Sequence, residues 1–77
     1  MSDDPRAEVR ELLATALGAD ALDGQDDPSR ETVERWDSLA ALEIVFLLEE
    51  RFDRRFSEDE VARLGSLSEI VAVVQGP

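Results

Sequence analysis

The sequence predicts an all-α fold: a small up-and-down bundle of three main helices plus one short helix, with a long loop between helices one and two. Three observations predict it. Apolar residues recur at i, i+3, i+4 and i+7 in three separate stretches, the spacing that lines one side of an α-helix. Each stretch opens on Ser or Asp, residues whose side chains cap a helix N-terminus. No two alternating apolar segments are joined by a hairpin turn, and no internal repeat is present.

In chain order, Asp3 and Asp4 precede Pro5, an arrangement of N-cap followed by proline in the first turn. Val9, Leu12, Leu13, Ala16 and Leu17 then form one apolar stripe, and Gly18 is placed to end the helix. Residues 18–36 hold two glycines, Pro28 and a scatter of Asp, which argue against a regular element there. Leu22, Val33 and Trp36 are the side chains in it able to tack the loop to a core. Residues 38–52 read as the central helix. Ser57-Glu58-Asp59-Glu60 is a capping box opening a short helix over 57–64, in which Val61 and Leu64 follow and Gly65 is the stop. Ser66-Leu67-Ser68-Glu69 is a second box, opening a last helix over 66–75 that carries Leu67, Ile70, Val71 and Val74 on one face and ends before Gly76-Pro77. With the first helix at about 5–17, all of this belongs to a single domain spanning 1–77. A chain of this length has room for one modest core.

The central helix differs from the others in carrying two apolar stripes. At 100° per residue, Ala41, Ile44, Val45, Leu48 and Phe52 fall on one side, while Leu39, Leu42, Glu43, Phe46 and Glu50 fall on the other. A chain this small can enclose a helix on one face but seldom on both. One face should build the core, and the acid-edged face should be free for a partner or ligand. Ser38 stands at the start of that second face.

Composition narrows the chemistry. The chain has no Cys and no His, which removes the thiolate nucleophile, the commonest general base and the commonest transition-metal ligands. It is therefore read as a non-enzyme with no catalytic residues. The Asp20, Asp23, Asp26, Asp27 cluster fails as an EF-hand. With Gly24 at the loop glycine, Ala19 and Ala21 stand where carboxylates are needed and Arg30 where Glu is needed. No metal site is expected. A net charge of −11, from 19 acidic and 8 basic residues, repels nucleic acid and anionic membranes and points to basic protein surfaces as partners. No segment reads as a signal peptide or membrane span, so a cytoplasmic, monomeric protein is the expectation.

Asp37-Ser38 opens the central helix, and capping alone would explain such a pair. A phosphate-linked group on Ser38 would lie at the positive end of the helix dipole, near unpaired backbone N–H groups, a placement favourable by roughly 0.3–1 kcal/mol. With no base in the chain to activate it, Ser38 would be a substrate for another enzyme.

Asp37-Ser38-Leu39, followed by Glu43, Glu49-Glu50 and Phe52-Asp53, resembles an acyl carrier protein, and the likeness in helix order covers nearly the full length. The resemblance implies that Ser38 bears 4′-phosphopantetheine, attached covalently from coenzyme A by a phosphopantetheinyl transferase, whose terminal thiol carries acyl groups as thioesters. The sulfur missing from the chain would arrive with the cofactor. It further implies that Asp37, Leu39, Leu42, Glu43, Phe46, Glu49 and Glu50 form the face that docks basic patches on acyl-transfer or synthase enzymes. The resulting expectation is a free-standing carrier for fatty-acid, polyketide or related biosynthesis. The alternatives are a stand-alone peptidyl carrier of a nonribosomal peptide pathway, and a helical protein-interaction module in which Ser38 only caps. Two positions depart from the family pattern. Arg35 stands where many members have glycine, and Ala40 stands where an acidic residue is common. The second implies a recognition face one charge weaker.

Overall fold

The computed structural model of the chain describes residues 4–75; Asp3 and the Gly76-Pro77 terminator lie outside them. Five helical elements follow one another: α1 (Pro5–Leu17), a 3₁₀ turn η1 (Ala19–Leu22), α2 (Ser38–Phe52), α3 (Glu58–Ala62) and α4 (Leu67–Gln75), with no strand among the described residues. The protein is an all-helical bundle with a loop between α1 and α2.

α1 begins where the Asp4 carboxylate accepts the Arg6 N–H at 3.0 Å, with Pro5 in the first turn. It buries Val9, Leu12, Leu13 and Leu17 and is the hub on which α2, α4 and η1 pack. Gly18 ends it at φ 95°, a conformation glycine adopts without strain. The bare Cα is needed for a second reason. A Cβ at Gly18 would stand 2.6 Å from Nη1 of Arg35.

The loop is more built than its composition suggests. η1 was not legible as an element, because one 3₁₀ turn leaves no periodicity to read. Arginines sew the loop to α1 through carbonyls: Arg6 donates to Asp26 O (2.6 Å), and Arg10 to Leu22 O (3.0 Å) and Gln25 O (2.9 Å). Arg35 donates to Leu17 O at 3.1 Å and pairs with both Asp20 oxygens at 3.2 Å. Its guanidinium holds the Asp20 carboxyl below the ordinary range, first by hydrogen bonding and then by charge. This position does not adopt the left-handed backbone that would favour glycine, so the departure from the family pattern is structurally supported. Leu22, Val33 and Trp36 are all buried. Farther along, Leu67 N–H donates to Pro28 O and Arg30 N–H to Gly65 O, each at 2.9 Å. The Asp27 carboxylate accepts from Ser68 N–H at 2.9 Å, capping α4 from across the chain.

α2 buries Ala40, Ile44 and Leu48, with Ala41, Val45, Leu47 and Phe52 half-buried around them. The core line is therefore turned toward Ala40 from the one drawn through Ala41 and Val45. A small side chain carries little weight in a hydrophobic periodicity, yet Ala40 is buried. It follows that an acidic residue at position 40 would meet the core rather than the exposed face, and Ala40 does not weaken that face. α2 closes on Asp53, which adopts the left-handed region at φ 49°, ψ 53°, while Arg54 N–H returns to Glu49 O at 3.2 Å. Asp53 is strained there, and its carboxylate lies at the negative end of the helix dipole. Asp53→Gly is accordingly expected to stabilise the domain by about 0.5–1 kcal/mol, raising the melting temperature in differential scanning calorimetry. A fall would show that the aspartate makes a compensating interaction.

α3 is shorter than 57–64 because Ser57 is its cap rather than its first residue, and the chain leaves the helix after Ala62. Its capping box is complete: the Ser57 hydroxyl accepts Glu60 N–H at 3.2 Å and the Glu60 carboxylate accepts Ser57 N–H at 3.0 Å. That backbone bond is the main cause of a Glu60 carboxyl held below its ordinary value. Arg54 reinforces the corner, pairing with Glu60 at 2.8 Å, donating to Val73 O at 3.3 Å and lying 4.8 Å over the Phe56 ring. α3 itself buries no residue, and Val61 is exposed. α4 buries Leu67, Ile70 and Val73, with Val71 and Val74 only half-buried. Its contact face is thus rotated by about one residue from the one the spacing indicated, as packing against α1 selects. Of the second box, the bond from Glu69 N–H to the Ser66 hydroxyl (3.1 Å) is present; Asp27 supplies the rest of the cap.

Candidate functional site

The site is the N-terminal end of α2 and the face that runs from it. Asp37, in extended backbone, caps the helix: its carboxylate accepts Ala40 N–H at 2.9 Å. That leaves Ser38 at the first helical position, exposed, with its hydroxyl in no hydrogen bond to another described residue. The division between the two residues is chemical. A cap needs an acceptor two or three residues upstream of the N–H it satisfies, which Asp37 is placed to be and Ser38 is not. The N–H groups of Ser38 and Leu39 belong to the first turn and have no intrahelical acceptor. They face the same end as the serine, so the helix dipole and two donors favour negative charge there. An exposed, unbonded hydroxyl beside such donors suits a phosphodiester link.

The second face of α2 is open. Leu39, Leu42 and Phe46 are 77%, 57% and 68% exposed, and Glu43 and Glu50 are exposed beside them. Glu50 borders an open groove of about 340 Å³ between α1 and α2, where Glu8 and Glu11 extend the acidic rim and Leu47 forms part of the floor. Glu49 stands apart. It is half-buried, and its carboxylate accepts the Phe56 N–H at 3.1 Å, bracing the turn after α2. Helical spacing places it toward α3 rather than along the Leu39–Phe46 line. Asp37 is likewise engaged as the cap. The side chains free to meet another surface are therefore Leu39, Leu42, Glu43, Phe46 and Glu50.

Close to the serine lies one feature that sequence reasoning missed. Trp36 is buried, and its indole Nε1 has no hydrogen-bond acceptor, a condition that costs about 1–3 kcal/mol. A tryptophan in a loop reads as an anchor from sequence; nothing local signals that its donor is left unpaired. Among the described residues no group of acidic side chains is arranged to hold a metal ion, and no helix is long and apolar enough to cross a membrane.

A family model described as the phosphopantetheine attachment site matches residues 7–74 of the 77-residue chain. The chain belongs to that family, whose members carry covalently attached 4′-phosphopantetheine and serve as carriers, not catalysts. It is a phosphopantetheine-bearing carrier protein, and carriers of this kind interact with transferases and with synthase or acyl-transfer enzymes. No curated protein gives a significant match to the chain. The family match sets aside the interaction-module alternative.

Proposed function

We propose that Ser38 carries the 4′-phosphopantetheine arm and that the protein shuttles thioester-bound acyl intermediates between enzymes of fatty-acid, polyketide or related biosynthesis. One observation supports Ser38: among the described residues it is an exposed hydroxyl in no hydrogen bond at the first position of the long helix α2, whose cap is already supplied by its neighbour. By contrast, the Ser29 hydroxyl contacts Thr32, and the Ser57 and Ser66 hydroxyls are engaged as caps. Ser38 itself contributes position and an acceptor oxygen. The arm contributes the thiol that the chain lacks. The first turn of α2 holds the linking phosphate against backbone donors, while the exposed face below it presents carboxylates and apolar side chains to basic partner surfaces. That acidic, apolar-centred face favours an acyl over a peptidyl carrier. The test is intact-mass measurement after incubation with coenzyme A and a broad-specificity phosphopantetheinyl transferase. A gain of one phosphopantetheine mass, mapped to the peptide containing Ser38, is expected; mapping to another serine overturns the assignment.

The partner face calls for its own test. Glu43 is exposed, so Glu43→Arg should alter stability by no more than about 0.5 kcal/mol. Replacing attraction to a basic partner by repulsion should slow association, most strongly at low salt. Modification rates measured at two salt concentrations, equal for both proteins, would remove Glu43 from the docking surface.

A further inference from the structure

We infer that Arg35 is a positioning residue for attachment of the arm: by fastening the end of the loop to the C-terminal end of α1, it holds Asp37 and Ser38 in the form that a phosphopantetheinyl transferase takes up. The inference rests on Ser38 being the attachment point and names the side chain that presents it.

Three observations carry it. First, the Arg35 guanidinium is committed to one place. It donates to Leu17 O at 3.1 Å and to Oδ1 and Oδ2 of Asp20, each at 3.2 Å. α1 has no basic residue in its last turn, so the cation that the negative end of its dipole favours is supplied by the loop. Second, stability does not account for this clamp. The Arg35 and Asp20 side chains are 59% and 71% exposed, and exposed ion pairs add little to folding. What a two-pronged pair does supply is direction. Third, the main chain passes that direction to the serine. Arg35 O accepts the Asp37 N–H at 2.9 Å, Trp36 between them is buried, and the Asp37 carboxylate accepts the Ala40 N–H at 2.9 Å. Residues 35–37 are thus held at three points: the guanidinium on α1, the indole in the core and the carboxylate on α2. Ser38 comes next, and its own hydroxyl is bonded to no described residue. Its placement therefore depends on the backbone that leads into it.

In the transfer, the Ser38 O–H bond breaks and its proton passes to a base of the transferase. Oγ forms a bond to the phosphorus that bears pantetheine, and the pyrophosphate P–O bond of coenzyme A breaks to release adenosine 3′,5′-bisphosphate. The attacking oxygen must be held in line with the bond that breaks. A carrier with the clamp open presents it for only part of the time. That loss raises KM for the carrier by the inverse of the competent fraction and leaves kcat nearly unchanged.

The experiment measures initial rates of arm attachment at saturating coenzyme A and varied carrier concentration, well below the melting transition. The proteins are the parent, Arg35→Gln, Asp20→Asn and Asp23→Asn, and amide exchange at Ala40 and Ile70 is read on each. Arg35→Gln is expected to raise KM by about three- to tenfold, with kcat within about twofold of the parent. Asp20→Asn should act in the same sense but less, because Leu17 O still holds the guanidinium. Asp23→Asn removes the same charge from the same loop without touching the clamp, and should match the parent. Exchange at Ala40 should quicken in the first two variants, while Ile70, bonded to Ser66 O within α4, should be unchanged. An unmoved KM for Arg35→Gln overturns the inference. So does a raised KM there with Asp20→Asn at the parent value, which would make Arg35 a direct contact of the transferase. Equal quickening at Ala40 and Ile70 overturns it as well, since the clamp would then act only through overall stability. Failure of the parent to take the arm on Ser38, seen by mass beforehand, overturns both this inference and the function it rests on.

Discussion

Ser38→Ala is expected to abolish phosphopantetheine attachment while leaving the domain folded and nearly as stable as the parent. The loss should be complete, because no other described serine opens a long helix: Ser68, though exposed in a first turn, is the second residue of the nine-residue α4. Stability should hold because the α2 cap is not the serine: the bond to Ala40 N–H comes from Asp37, and Ser38 is exposed with no bond to break. The substitution even places alanine, the best helix former, in the helix. Asp37→Ala should behave in the opposite sense. Removing the cap costs about 0.5–2 kcal/mol, corresponding to a melting temperature several degrees lower for a domain of this size, while the serine remains to be modified. Calorimetry and intact mass on both variants separate the roles. Wild-type loading of Ser38→Ala would refute the attachment site, and an unfolded Ser38→Ala would refute the division of labour between the two residues.

Leu48→Ala is expected to cost about 2–5 kcal/mol, the range for truncating a buried leucine where the surroundings cannot fully collapse. Leu48 has no exposed surface and lies in one line with Ala40 and Ile44 on the side of α2 that packs against α1. Small domains have total stabilities of only about 5–15 kcal/mol, so this variant should be partly unfolded at modest urea concentrations. Phe46→Ala removes a larger side chain two residues away. At 68% exposure, it should change stability by no more than about 0.5 kcal/mol. The sign of the contrast is the test. Urea titrations in which Phe46→Ala is the more damaging would mean that the faces of α2 are reversed.

Much of this architecture is legible before any coordinate is known, and the reason is that it is local. Asp4-Pro5, the Val9–Leu17 stripe and Gly18 lie within a few turns of one another, and each acts on the helix it belongs to. The two faces of α2 are equally local, since helical geometry alone separates Leu42 and Phe46 from Ile44 and Leu48. The illegible features all depend on chain segments meeting from a distance. Asp27 caps a helix that begins 40 residues later, and Glu49 braces a turn rather than joining the exposed face. The burial of Ala40 and Val73 in place of Ala41 and Val74 reflects a rotation that only a packing partner can impose. At the site itself the serine and the apolar face follow from sequence, whereas the unpaired Trp36 donor does not. Pairing depends on the whole environment of an atom, and no spacing rule encodes it.

The strap between α1 and α2 joins the two halves of the protein at one seam, where Pro28 and Arg30 share main-chain bonds with Leu67 and Gly65 and the isolated bridge Ser29–Ser66 lies between them. Helices can flicker into being on their own within microseconds, but this seam cannot form until the intervening chain has closed on itself, a step whose entropic penalty precedes its reward. The last helix is thereby denied its full cap until the strap is in register. Such an arrangement turns a set of individually marginal helices into a single cooperative unit, in which the connecting segment acts as the clasp.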